Sequence, residues 1–118
     1  MNITQIIKEY SSYEMAHGVE HLLNLKHKLS ILIYECARYI ADLEEQSKNI
    51  TAEKKISLAT SELELEGTGQ HRKNQAIKNN MELINREAEL EGKLKAYRIR
   101  YDGMIQIGNS MSSYLNKL

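Results

Sequence analysis

The sequence predicts an all-α, coiled-coil-like fold. A long antiparallel helical hairpin, about residues 19–66 and 70–118, carries a short N-terminal helix that completes a three-helix bundle at one end. Three observations predict it. The 118 residues contain no proline, the residue that breaks helix interiors. Apolar side chains recur at alternating spacings of three and four along two long stretches, the signature of a helix with a buried seam. One glycine pair, Gly67 and Gly69, separates those stretches.

Each element follows in order. Asn2 or Thr4 can cap a first helix over residues 2–16, whose apolar face is Ile3, Ile6, Ile7, Tyr10 and Tyr13. Gly18 breaks it. The first long helix, 19–66, carries Leu22, Leu25, Leu29, Leu32, Cys36, Tyr39 and Leu43 on one stripe, widened by Ile33 and Ile40. Beyond Leu43 the stripe thins to Gln46, Ile50, Glu53, Ser57 and Thr60. Residues 67–70 form the turn, since glycine accepts positive φ at little cost, and Thr68 or Gln70 can start the next helix. The second long helix, 71–118, interleaves two rows. One is Ala76, Leu83, Leu90, Tyr97, Met104, Met111 and Leu118; the other is Asn80, Glu87, Leu94, Tyr101, Gly108 and Leu115. The whole is one helical domain. Apolar surface beside the seams predicts a homo-oligomer. From Gln46 to Glu87 the seam is poor in apolar residues, which predicts a polar hairpin tip. That tip is either a solvated stalk or a surface that orders on a partner.

Composition excludes several classes. One cysteine permits neither an internal disulfide framework nor a CxxC site and fits a reducing cytoplasm. No apolar run approaches the ~20 residues that span a bilayer, so no membrane is expected, and Met1–Tyr10 lack the order of a secretory signal. Sixteen basic and sixteen acidic side chains cancel, so no global field steers the chain to nucleic acid.

The charge is nevertheless uneven. Residues 71–100 carry eight basic and four acidic side chains, while residues 1–50 carry five and seven. Two readings stay open. The acidic first arm can pair with the basic second arm, or the cations and interleaved tyrosines (Lys93, Lys95, Tyr97, Arg98, Arg100, Tyr101) can grip a phosphate backbone and stack bases.

Catalytic and metal motifs find no support. His17–His21 reads H-x-x-E-H, an inverted zinc-protease signature, but Gly18 lies inside it and a thin bundle offers no third ligand or cleft. Cys36 falls on the apolar stripe and reads as a small core residue. Gly67-Thr68-Gly69 lacks the spacing of a phosphate loop and a preceding strand. The expectation is a non-enzyme with no cofactor and no metal.

The stretches Glu53–Ala59, Leu65–Ile77 and Leu90–Tyr97 together resemble small helical proteins of phage replication and recombination gene clusters, in which a glycine-containing turn joins two long helices. The layout is similar to the UvsY-type recombination mediators, over roughly residues 45–118. The resemblance implies a helical oligomer that binds single-stranded DNA and assists a recombination protein, in the cytoplasm of the host cell. It implies DNA contacts at Lys54, Lys55, Arg72, Lys73 and Lys78. The basic second arm extends the expected surface to Arg86, Lys93, Arg98 and Arg100. Small helical phage proteins also include inhibitors that occlude a host protein, as anti-defence or anti-CRISPR factors do. A purely structural assembly role is the third class.

Overall fold

The computed structural model describes all 118 residues, and they form helices without a strand. α1 is Ile3–Ser11, a 3₁₀ turn follows at Met15–His17, α2 is Val19–Glu64, α3 is Gly69–Asn79 and α4 is Met81–Lys117. α2 packs against α4 and α1 against α2, which is the predicted all-α helical hairpin bundle. No helix is long and apolar enough to cross a membrane.

The chain divides into two units, Met1–Ile40 with Tyr97–Leu118, and Ala41–Ala96. The first holds the apolar core. Ile6 of α1, Leu22, Leu25, Leu29 and Cys36 of α2, and Met104 and Met111 of α4 are buried together. Partly buried Tyr10, Tyr13, Leu32, Ile33, Tyr101 and Tyr114 pack around them. α1 starts on a reciprocal cap, with the Asn2 side chain accepting from the Gln5 amide and the Gln5 side chain accepting from Asn2 N–H, both at 2.9 Å. It is shorter than the expected 2–16. The Ser11 and Ser12 hydroxyls donate back to the Ile7 and Lys8 carbonyls, and Ser12 leaves the helical conformation as the C-cap. Tyr13 then turns the chain. Its hydroxyl donates to the Gly18 carbonyl at 2.8 Å, and its ring meets Tyr114 edge-on. Gly18, at φ +85°, makes the break before α2.

The second unit is a two-arm hairpin with a sparse core of Leu43, Ile50, Ala76, Leu90 and Leu94. α2 stops at Glu64, two residues before the expected end. Gly67 turns at φ +112°, where a Cβ would lie 3.0 Å from His71 Cδ2. Thr68 caps α3 by accepting from the His71 amide. Thr68→Ala is expected to destabilise α3 by about 1 kcal/mol. Hydrogen exchange should show it as faster exchange of the α3 amides alone, with the core of the first unit unchanged.

Two sequence expectations are corrected here. The second arm is not one helix: it breaks at Asn80, whose φ and ψ are −112° and 20°. The Asn80 N–H is shared between the Ala76 and Ile77 carbonyls, while its own carbonyl accepts from Ile84 N–H. The seam of α2 is also not Gln46, Glu53 and Thr60, which are exposed; Ser47, Lys54 and Ser61 replace them, beside Leu43, Ile50 and Ser57. The cause is helical drift. A straight helix at 3.6 residues per turn slips about 20° per heptad against a 3.5-residue repeat, so over the three heptads from Leu22 to Leu43 the buried face advances by about 60°. The residue four after each anchor then replaces the residue three after it.

Candidate nucleic-acid interface

The seam of the second unit is built as two polar layers. In one, Asn80 is 7% exposed and fully bonded. Its Oδ1 accepts from the Ser57 hydroxyl, and its Nδ2 donates to Ser61 Oγ at 3.1 Å and to the Ala76 carbonyl at 2.8 Å. In the other, Glu87 accepts from Thr51 Oγ1 and from Lys54 Nζ, each at 2.6 Å. Lys54 therefore lies in the seam as the partner of a carboxylate and is not presented to a ligand. The drift that moved the seam from Glu53 to Lys54 explains why the sequence placed it outside.

This ion pair also runs against the expected charge pairing, since the cation comes from the first arm and the anion from the second. Its two hydrogen bonds, from Lys54 first and Thr51 second, hold the Glu87 carboxyl below its ordinary value of 4.5. A depressed carboxylate contributes stability above its unfolded-state titration and loses it as the pH falls through the lower folded-state value. Thermal unfolding from pH 7 to pH 3 should therefore show a loss of stability below about pH 4.5 that is smaller in Glu87→Gln. Equal pH dependence in both proteins would refute the coupling.

The remaining expected residues fall as follows. Lys55, Lys73, Lys78, Arg86 and Lys93 are exposed, and none has a carboxylate within 4 Å. Arg72 is half-buried, with its Nε enclosed and lacking a hydrogen-bond partner. Arg98 and Arg100 are exposed but belong to the first unit. There the Arg100 guanidinium lies 5.5 Å from the centre of the Tyr97 ring, and Tyr97 tilts against Tyr39 at 4.6 Å. Tyr97 and Tyr101 are partly buried against the apolar core, which reduces the ring surface left for stacking a base as the sequence had suggested.

What the structure concentrates is α3. Its eleven residues include Arg72, Lys73, Lys78 and His71 and no acidic side chain. Gln70, Asn74, Gln75 and Asn79 add amides along the same helix, bonded in i,i+4 pairs. Lys55 and Arg86 are the nearest exposed cations in sequence on α2 and α4. The second unit as a whole holds nine basic and eleven acidic side chains, so any anion it binds is attracted by this local distribution and not by net charge.

The first unit offers less. A cavity of about 450 Å³ opens beside Cys36, lined also by Ile3, Leu32, Tyr97, Arg100 and Met104. Burial raises the Cys36 thiol from its ordinary value of 9.0 more than Arg100 lowers it, and the thiol faces the Tyr97 carbonyl at 3.7 Å, so it remains a protonated core group. His17 lies in the 3₁₀ turn and His21 on α2, with Gly18 between them and ring centres 6.0 Å apart. The Nδ1 of His17 accepts from the Glu14 amide, and no three His, Cys, Asp or Glu side chains are placed to hold a metal ion. Comparison with protein-family models, with curated proteins and with solved structures finds no significant match.

Proposed function

We propose that this protein is a non-enzymatic, cytoplasmic phage-type accessory protein of DNA recombination or replication that binds single-stranded DNA through α3 and its flanking cations. One observation carries the reading: α3 gathers cations with no acid among them, and Lys73 and Lys78 are exposed with no carboxylate within 4 Å. Cations left unpaired beside amide side chains suit a phosphate backbone, and the released counterions supply the affinity. The direct test is fluorescence anisotropy with a labelled single strand at 0.05 M and 0.15 M salt. Binding that weakens steeply between the two is expected. No binding at 0.05 M salt would overturn the reading.

A second reading, occlusion of a host or phage protein, is favoured by the apolar surface of the first unit. Ile31 and Tyr34 on α2 and Ile99 on α4 are all exposed. That reading requires a protein partner and no affinity for nucleic acid.

A further inference from the structure

In the second unit, α2 carries a second apolar row that nothing in this chain covers. Ala52, Ile56, Ala59 and Leu63 follow the same four-three-four spacing as the seam, and all four are exposed; Ile56 is 69% and Leu63 84% exposed. At 100° per residue the row lies on the side of α2 away from Ile50, Lys54 and Ser57, so covering it leaves the hairpin seam undisturbed. We infer that this row is the contact between two copies of the chain, with their α2 helices antiparallel about a twofold axis.

Three features select a second copy. The row is self-complementary only when antiparallel. A twofold axis midway between Ala52 and Leu63 sets Ala52 opposite Leu63 of the second copy and Ile56 opposite its Ala59, so every large side chain meets a small one. Charge supports the same direction. Lys55 and Glu62 lie on one flank of the row, and in the antiparallel register Lys55 of each copy comes within about two residues of level with Glu62 of the other. Area permits it. The chain exposes 8393 Å², whereas a monomer of 13.6 kDa typically exposes about 6,600 Å². The surplus of about 1,800 Å² is that of the whole chain, so it leaves room for the ~800 Å² per partner of a standard interface without itself locating that interface on this row. The sparse core of the second unit, interrupted by two polar layers, supplies the need for such cover. The inference does not rest on nucleic-acid binding; the two surfaces share only Lys55, which in the dimer faces Glu62 of the second copy and leaves α3 and Arg86 as the cations for a phosphate.

Sedimentation of the full chain tests it. Wild type is expected at twice the 13.6 kDa monomer mass at 100 µM or above. Ile56→Glu/Leu63→Glu is expected to weaken the dimer at least about 100-fold, because two carboxylates from each copy, four in all, would be buried in an apolar contact. Both sites are exposed within the chain, so the circular dichroism of this variant should match wild type. Should its helicity fall, the size swap decides without added charge. Ala52→Leu alone sets leucine against leucine, and Leu63→Ala alone leaves a hole, so each weakens the dimer roughly tenfold. Ala52→Leu/Leu63→Ala restores a large-to-small match and recovers the dimer to within a few-fold of wild type. A monomeric wild type, a dimer that survives both glutamates in folded protein, or a swap no tighter than its single variants would each overturn the inference.

Discussion

Leu29→Ala is expected to destabilise the protein by about 3–4 kcal/mol and lower its melting temperature by more than 10 °C. Leu29 is 0% exposed, at the centre of the cluster shared by α1, α2 and α4. A Cβ added at Gly108 would lie 3.7 Å from Leu29 Cδ2, so the leucine fills the space that the small residue on α4 leaves. Truncation removes the transfer free energy of its methyl groups and opens a cavity among Ile6, Leu22, Leu25 and Met111, all nearly or fully buried. With the second unit poorly stocked in apolar contacts, the stability of a domain in the usual range of about 5–15 kcal/mol rests heavily on this cluster. The same truncation at Leu63, 84% exposed, should cost under about 0.5 kcal/mol when measured at a concentration low enough for the chain to be monomeric. Equal losses at Leu29 and Leu63 in chemical denaturation would show that the cluster does not carry the fold.

Much of the architecture was legible because spacing alone encodes it. The row through Leu90, Met104 and Met111, the leucines 22, 25 and 29 and the Gly18 break all occupy the places that periodicity and turn chemistry assign them, though the row's last member, Leu118, is exposed; of the paired cap candidates, Asn2 and Thr68 are the ones used. The break at Asn80 was not legible. Asn80 stands at a seam position, where sequence arithmetic registers only a missing apolar residue; that its amide would be satisfied by Ser57, Ser61 and Ala76 depends on a serine register set by the opposite arm. The site suffered from the same blindness. Lys54 and Lys55 are adjacent and equivalent by composition, yet a drift of about 60° puts one in the seam against Glu87 and leaves the other exposed. Segment charge showed where cations are dense but not that the ion pair joining Lys54 to Glu87 would run opposite to the segment trend.

Lys73→Ala/Lys78→Ala/Arg86→Ala is expected to lower single-stranded DNA affinity by about 100-fold at 0.1 M salt. Each cation that neutralises a phosphate contributes about 0.7 to the slope of log K against log salt, which at 0.1 M is about fivefold in affinity. Three such contacts multiply to about 100-fold, and the slope itself should fall by about 2. The slope is the sharper readout, because a variant that merely unfolds loses affinity without a matching decrease in slope. All three side chains are exposed and lack a carboxylate within 4 Å, so their removal should leave helicity and melting temperature unchanged. Lys8→Ala/Lys117→Ala removes two exposed cations of the first unit and should change affinity less than about twofold. If both variants weaken binding equally, the attraction is diffuse and α3 is not its seat. If the triple variant binds with the wild-type affinity and slope, the cations of α3 serve another partner, and the exposed Ile31, Tyr34 and Ile99 become the surface to follow.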